Sequence, residues 1–488
     1  LGDVYKRQGW TMTSTALDRL HDTFTRWLGR DYDLDAIDAT VAAAAAIRLD
    51  GDPVWLLLVG GPGNAKTETV SALTESGAHV VSTIASEGAL LSGTSKGERA
   101  SDATGGLLHT IGSQGVMVLK DFTSILSLPQ STRPGVLAGL REVYDGCWTR
   151  TIGADGGRTL RWTGRLCVIG AVTTAWDQAH TTVSAMGDRF VLLRMDSMDN
   201  RLSGGRQAIA NTGQETQMRA ELTAAVTAVL GQAHTTAIEL TGHDQDRLLA
   251  AANLVTLART AVMRDNRGNV IDAHAPEMPT RFAKQLAQLV RGAVAIGMPT
   301  HEAIGLAVRC ARDSMPPLRL AILVDLADHP GSLVADVRRR LQKPHNTVDR
   351  ELQALHMLGM VTLDEQPHAA GTRWLYSLPA GIDTTAVFPE IEVPPHPHKG
   401  GSTSKPGNGH QGSTSNPGNT EAAERSRPCR NHGLCRSTVR SGIDFGGLCA
   451  YCRDMQRADA LTRRVRGQTG YTITPGDEIS EMHGSVRN

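Results

Sequence analysis

Residues 55–67 read WLLLVGGPGNAKT, and this stretch decides the fold. An apolar strand pattern, Trp55–Val59, runs directly into a glycine-rich loop, and the helical stretch Glu68–Leu73 follows the loop. Backbone N–H groups of a loop in this context wrap phosphate oxygens, and the start of the helix adds its dipole. The stretch therefore predicts an ATP-binding P-loop in an α/β core, with a chance glycine-rich turn as the plainer alternative.

Side chains in the loop have distinct expected tasks. Lys66 reaches the outer phosphates, and the hydroxyl of Thr67 holds Mg²⁺. The loop carries alanine at position 65, where the general pattern has glycine. The expected nucleotide-binding residues of this stretch are Gly60, Gly61, Pro62, Gly63, Asn64, Ala65, Lys66, Thr67 and Glu68.

A second Mg²⁺ partner is expected at the end of another buried strand. Asp121 follows the apolar run Val116–Leu119. A P-loop enzyme holds the metal through water with a carboxylate in this position. The alternative is an ordinary buried strand with a terminal Asp. The next residue is Phe122, where such enzymes ordinarily have a glutamate that orients the attacking water. The sequence therefore predicts firm ATP binding but argues against efficient hydrolysis, unless Glu142 or Asp145 substitutes for that glutamate.

Length and composition set wider limits. The 488 residues exceed what one core usually supports, so two to four domains are expected. The 50 Lys and Arg residues balance the 50 Asp and Glu residues, so any basic surface must be local. No apolar run reaches the roughly 18 residues of a membrane span. Cysteines that cluster after residue 428 suit a reducing cytosol with a metal site, which predicts a cytoplasmic protein without a membrane partner.

Periodicity and composition divide the chain into segments of different character. Up to about residue 200, short apolar runs alternate with helical stretches, a pattern typical of a largely parallel sheet. The predicted segments are a fragment end or scar at 1–12, an α/β nucleotide-binding domain at 13–204, an all-helical lid at 205–312, a winged helix-turn-helix at 313–378, a disordered linker at 379–428, a zinc-binding basic module at 429–470 and a polar tail at 471–488.

Several motifs in chain order carry a family resemblance. The first is the loop with its Ala65, and the others are Leu119-Lys120-Asp121, Leu137–Glu142, Val168–Thr173 and Met186–Phe190. Together they resemble the AAA+ ATPases of the MoxR and minichromosome-maintenance (MCM) branch. The resemblance implies an AAA+ core with a helical lid, Mg-ATP as ligand, and assembly as a homo-oligomeric ring or partial ring.

The resemblance also implies roles for three further residues. Thr173 would sense the γ-phosphate, and Arg189 would reach the ATP of a neighbouring subunit as an arginine finger. Arg281, within Pro279-Thr280-Arg281, would act as the second sensor of nucleotide state. Each residue has a structural alternative: Thr173 caps a strand end, Arg189 forms a surface ion pair, and Arg281 begins a helix that packs on the core.

Two later segments are candidates for DNA contact. Helical patterns at Leu318–Asp328, Ser332–Leu341 and His345–Leu358, followed by two short extended runs, predict a winged helix. Basic and polar residues concentrate at its second helix and the start of its third, and the expected DNA contacts are Arg338, Arg339, Arg340, Lys343, Asn346, Thr347 and Arg350. A protein-docking module is the alternative for the same pattern.

The second candidate is the cysteine cluster. Cys429, Cys435, Cys449 and Cys452 offer four thiolates for tetrahedral Zn²⁺, His432 is an alternative ligand, and free reduced cysteines remain possible. Arginines surround the cluster, which favours phosphate contacts over catalysis.

Three functions fit these features. The leading hypothesis is an AAA+ ATPase acting on DNA, of the replication or helicase type that a phage or mobile element encodes. The second is a DNA-binding regulator that uses ATP as a switch and hydrolyses it weakly. The third is a MoxR-like chaperone in which the winged helix and zinc module dock protein.

Overall fold

The computed structural model divides into two compact units, Leu1–Val393 and Pro394–Asn488. The residues that the structure describes are 14–94, 103–153, 156–179, 188–195, 201–236, 238–368 and 371–388, with the backbone of 427–428 and 438–439. In the second unit, the described backbone forms a short antiparallel pair between Arg427–Pro428 and Thr438–Val439. The predicted segment at 1–12 and the predicted tail lie outside the described residues.

A five-stranded parallel sheet forms the centre of the first unit. The strands before residue 195 are β1 (Trp55–Val59), β2 (His79–Val81), β3 (Gln114–Leu119), β4 (Cys147–Ile152), β5 (Arg158–Thr163), β6 (Arg165–Val172) and β7 (Val191–Arg194). The sheet order is β2-β3-β6-β1-β7, and β4 and β5 form a separate antiparallel hairpin. The predicted largely parallel sheet is confirmed.

The strand order places a crevice at the carboxyl end of β1. From β1 the chain crosses to β2 at one edge of the sheet, whereas from β6 it crosses over β1 to β7 at the other edge. Where connections leave neighbouring strands in opposite directions, a crevice opens outside their carboxyl ends, and ligands of open α/β sheets bind there.

Both faces of the sheet are covered, as expected of parallel strands. Alternate residues of β1 enter different cores: Leu56 and Leu58 pack with helices of one cluster, and Trp55, Leu57 and Val59 belong to the cluster on the opposite face. The helices before residue 150 are α1 (Ala16–Leu28), α2 (Leu34–Ala46), α3 (Lys66–Ser71), α4 (Glu87–Leu90), α5 (Leu107–Ile111), α6 (Thr123–Leu126) and α7 (Arg133–Tyr144).

The predicted all-helical lid is mostly helical but also contains a β-hairpin. Its helices are α8 (Arg201–Ala210), α9 (Glu215–Gln232), α10 (Gly242–Arg259), α11 (Thr280–Ala295) and α12 (Thr300–Asp313). Strands β8 (Val262–Arg264) and β9 (Val270–Ala273) pair antiparallel between α10 and α11. The prediction of an all-helical segment was wrong because these strands are short and mostly exposed. The boundary at 204 was also wrong, since it falls within α8.

Gly292 sets how closely the lid approaches the core. A Cβ atom at this position would lie 2.2 Å from the carbonyl oxygen of Ala42, so only glycine lets α11 pack this tightly on α2. The lid and the N-terminal helices thus share one continuous core.

Three helices and a hairpin follow the lid, in the predicted order. They are α13 (Pro317–Asp328), α14 (Val334–Leu341), α15 (His345–Met357), β10 (Thr362–His368) and β11 (Gly371–Ser377). An isolated bridge joins Ser332 to Tyr376, which ties the start of the second helix to the hairpin. The predicted linker begins too early, because a 3₁₀ turn at Thr384–Val387 buries Val387 against the core.

Candidate nucleotide-binding site

The glycine-rich loop lies at the carboxyl edge of the sheet, between the ends of β6 and β7. The backbone N–H of Gly60 donates to the carbonyl of Val172 at 3.2 Å, and that of Met195 donates to Val59 at 2.9 Å. The side-chain amide of Asn64 donates to the carbonyl of Met195 at 3.1 Å. These bonds fix the loop over the crevice predicted from the strand order.

Ala65 has a backbone conformation that explains the usual glycine at this position. Its φ of 54° and ψ of 9° lie in the left-handed region, immediately before α3 begins. This region costs a residue with a side chain roughly 1–2 kcal/mol relative to the right-handed helix. Residues held in such conformations cluster at ligand-binding segments, where the surrounding structure maintains them.

The Lys66 side chain folds back over the loop. Its ammonium group donates to the carbonyl oxygens of Gly60 at 2.8 Å and Gly61 at 2.5 Å, and the residue is only 8% exposed. Burial lowers the pKa of Lys66, and the nearby charge of Asp121 opposes that shift. The loop thus holds a buried cation beside an exposed carboxylate.

Thr67 and Asp121 are both exposed at this edge. Thr67 lies in the first turn of α3, and Asp121 lies two residues beyond β3. The carboxylate of Asp121 accepts a hydrogen bond from the backbone N–H of Thr123 at 2.9 Å. Thr173, which follows β6, donates from its backbone N–H to the hydroxyl of Thr123 at 3.3 Å.

Phe122 points away from this edge into the core. Its ring is 0% exposed and contacts Phe190 at 5.1 Å and Trp176 at 5.8 Å between ring centroids, both edge to face. Its backbone N–H donates to the carbonyl of Ala171 at 2.7 Å, which fixes this orientation. Position 122 therefore belongs to the aromatic core, where the charge of a glutamate would be buried.

A cavity of about 720 Å³ opens beside the loop. This volume is within the roughly 300–1,000 Å³ of small-molecule sites. One wall is the loop from Gly61 to Ala65, and the other walls come from distant parts of the chain, including Trp27, Tyr32, Asn211 and Met218. Sequence reasoning missed these four residues because no local motif marks them.

Glu68 also lines this cavity, but its carboxylate is already engaged. It forms a two-pronged ion pair with Arg219 of α9, with a shortest contact of 2.8 Å. The pair joins the helix after the loop to the lid.

Arg189 lies at the opposite, amino edge of the sheet. It precedes β7, and its guanidinium forms an ion pair with Asp145 at 2.9 Å and lies 5.7 Å from the ring centroid of Tyr144. Tyr144 in turn contacts Trp55 at the start of β1. Asp145 is therefore on the wrong edge to substitute for a water-orienting glutamate, and that alternative is withdrawn.

Arg281 belongs to the same amino edge. It lies 3.6 Å from Glu277, which forms a two-pronged ion pair with the buried Arg259. Gln285, one turn further along α11, donates to the carbonyl of Arg189 at 2.6 Å. Arg281 therefore lies beyond the opposite end of β1 from the loop of the same chain, and its predicted role as second sensor stays a prediction.

The predicted DNA contacts in α14 and α15 separate into two groups. Those exposed to solvent are Arg338, Arg339, Lys343, Asn346 and Thr347. Arg340 instead forms a two-pronged ion pair with the buried Asp325, at 2.6 and 2.7 Å, and Arg350 donates to the backbone of Arg267 in the lid hairpin. Arg340 and Arg350 are therefore engaged by other parts of the chain, and their predicted DNA contacts stay predictions.

The third helix of this segment is also fixed to the lid by charge. Glu351 bridges Arg264 of β8 at 2.6 Å and Arg319 of α13 at 2.9 Å. Arg319 is 7% exposed and also donates to two carbonyls of the lid. One face of the helix is therefore covered by the lid.

The four cysteines and His432 of the predicted zinc module lie outside the described residues. In the part of the chain that the structure describes, no helix is long and apolar enough to span a bilayer.

No protein-family model matches the chain, and no curated protein matches it. Among solved structures, the chain is similar to one titled as the A form apo structure of the NrS-1 C-terminal region. Sequence identity is 10% over 74% of this chain and 76% of that chain, and the TM-score is 0.20. A likeness at that score carries no argument about fold or function.

The class of protein is accordingly defined by the geometry itself. A five-stranded parallel sheet with helices on both faces and a glycine-rich loop at its carboxyl edge is compatible with an α/β nucleotide-binding fold.

Proposed function

We propose that this chain is an ATP-binding protein of the AAA+ type that acts on DNA and hydrolyses ATP slowly. The observation that carries the proposal is the loop Gly60–Thr67 at the topological switch point, with Lys66 folded over it and a ligand-sized cavity beside it. The residues fit Mg-ATP, because exposed backbone, one cation and one carboxylate converge at this edge. Lys66 would hold the outer phosphates, and Thr67 and Asp121 would hold Mg²⁺.

Slow hydrolysis follows from the buried ring of Phe122. The segment after β3 presents no glutamate to the crevice, so any hydrolysis depends on other groups that position water. This observation favours the second candidate function, a DNA-binding regulator that ATP switches. Homo-oligomerisation is part of the proposal. Arg189 would act on the nucleotide of a neighbouring subunit after its ion pair with Asp145 opens.

DNA binding is proposed for the helix–helix–helix–hairpin segment as a winged helix. The exposed Arg338, Arg339 and Lys343 lie around the turn before its third helix, where phosphate contacts position such a module. Zn²⁺ held by Cys429, Cys435, Cys449 and Cys452 would form a second basic contact.

The test is ATP turnover by the full chain with and without DNA, compared with the Lys66→Ala variant. We expect slow turnover that DNA changes and that Lys66→Ala abolishes. Lys284→Ala, at the amino edge of the sheet, is the matched control. If wild-type turnover is no greater than that of Lys66→Ala, the ATPase hypothesis fails and the ATP-switched regulator remains. If the full chain shows no salt-dependent DNA binding, a MoxR-like chaperone role replaces the proposed role on DNA.

A further inference from the structure

A chain of hydrogen bonds crosses the crevice from β3 to β6. The Asp121 carboxylate accepts from the backbone N–H of Thr123, and the hydroxyl of Thr123 accepts from the backbone N–H of Thr173. The hydroxyl oxygens of Thr123 and Thr173 lie 3.4 Å apart. Thr123 thus connects two predicted site residues, because its backbone N–H bonds the Asp121 carboxylate expected at the metal and its hydroxyl contacts Thr173, expected at the γ-phosphate.

The alternation of side chains after β3 explains why Thr123 is the residue in this position. Asp121 is exposed, Phe122 turns into the aromatic core, and Thr123 returns to the crevice, half-buried. Thr123 is therefore the next side chain after Asp121 on the crevice side. A pocket of about 300 Å³ lined by Thr123, Arg133, Ala175 and Gln178 opens beside it.

We propose that Thr123 is the positioning residue for ATP hydrolysis in this chain, and this inference rests on the proposed function. It fixes the orientation of the Thr173 hydroxyl relative to Asp121, so that γ-phosphate and water are held in line. A threonine hydroxyl is too weak a base to deprotonate water at neutral pH. Thr123 therefore contributes orientation and no proton transfer, and we expect slow turnover on this account.

The reaction balances without a protein base. The water oxygen forms a bond to the γ-phosphorus, and the bond from that phosphorus to the β,γ-bridging oxygen breaks. The electron pair of the broken bond leaves on ADP, and the proton of the water passes to the released phosphate.

The experiment measures the Mg-ATP dissociation constant and kcat separately in the full chain, for Thr123→Val, Thr123→Ala and Thr123→Ser. Ser124→Ala is the matched control, because the Ser124 hydroxyl donates to the carbonyl of Asp121 at 2.7 Å in the same turn. We expect Thr123→Val and Thr123→Ala to lower kcat on the order of tenfold to a hundredfold, with affinity within about twofold of wild type. Thr123→Ser and Ser124→Ala should retain most of the turnover.

A double-mutant cycle separates positioning from general stability. If Thr123 acts through Thr173, the Thr123→Val/Thr173→Val double variant should lose no more kcat than Thr173→Val alone.

Three results would overturn the inference: wild-type kcat in Thr123→Val, failure of Thr123→Ser to retain turnover, or additive losses of kcat in the double variant. So would Mg-ATP binding without any turnover in the wild type. If the wild type does not bind Mg-ATP, or if Lys66→Ala binds it equally well, the proposed function is overturned instead. If the valine variants do not fold, Thr123→Ala against Thr123→Ser still decides: alanine must lose turnover and serine must keep it.

Discussion

Phe122 occupies the position at which the P-loop pattern has a water-orienting glutamate, and its surroundings show why a carboxylate does not fit there. The ring packs against Phe190 and Trp176, and its backbone is fixed by the end of β6. A charged side chain in this orientation would lose its solvation without gaining a partner. A glutamate introduced at position 122 would therefore not point into the crevice, where it could orient water.

Phe122→Glu should lower the free energy of unfolding by about 3–5 kcal/mol, the range for loss of a buried phenylalanine, and should not raise ATP turnover. Chemical denaturation followed by tryptophan fluorescence measures the first effect. Phe122→Leu is the control, with a loss near 1 kcal/mol. A Phe122→Glu variant with wild-type stability and faster turnover would show that position 122 faces the nucleotide.

Among the secondary-structure elements, α14 carries two kinds of arginine that the sequence does not distinguish. Arg338 and Arg339 are exposed, whereas Arg340 turns inward to Asp325, which is 8% exposed. The difference arises from helical geometry, since successive residues point about 100° apart.

We expect Arg338→Ala and Arg339→Ala each to weaken DNA binding and to reduce the salt dependence of the affinity by about one counterion. Arg340→Ala should instead lower stability by about 1–3 kcal/mol, because it leaves the Asp325 carboxylate without its two hydrogen bonds. Binding titrations at several salt concentrations, together with thermal unfolding, separate the two effects. Wild-type stability with a DNA-binding loss equal to that of Arg338→Ala would contradict this assignment.

The elements that sequence reasoning found are those with a strong local signal. The strand before the glycine-rich loop, the strand before Asp121 and the three helices after residue 316 have clear periodicity or a contiguous motif. The hairpins β4–β5 and β8–β9 were missed, because their strands are short or alternate with exposed threonine and arginine. Chain order also gave no indication that Arg281 lies at the amino edge, since that depends on how α11 packs.

At the scale of the first unit, one arginine connects the crevice to the lid. Arg194 ends β7 and forms a two-pronged ion pair with Asp177 at 2.6 and 3.1 Å. Its backbone N–H donates to the carboxylate of Asp313 in α12 at 2.8 Å. Burial raises the pKa of Asp313, and the neighbouring arginines oppose that shift. Arg309 extends the network to Asp33 beside the cavity.

This network was beyond sequence reasoning because Arg194 lies 119 residues from Asp313, and Arg309 lies 276 residues from Asp33. The same holds for the cavity, whose walls come from α1, the P-loop and the lid. The glycine-rich loop itself was predictable because its motif occupies eight consecutive residues. The proposed function therefore depends on whether that loop, in this fold, binds ATP.

Equilibrium binding of Mg-ATP to the full chain answers this question, with Lys66→Ala and the control Lys284→Ala measured alongside. Removal of one charged hydrogen-bond donor should weaken binding on the order of tenfold to a hundredfold in Lys66→Ala, while Lys284→Ala binds as the wild type does. Equal Mg-ATP affinity in the wild type and Lys66→Ala, or no binding in either, would contradict the proposed function.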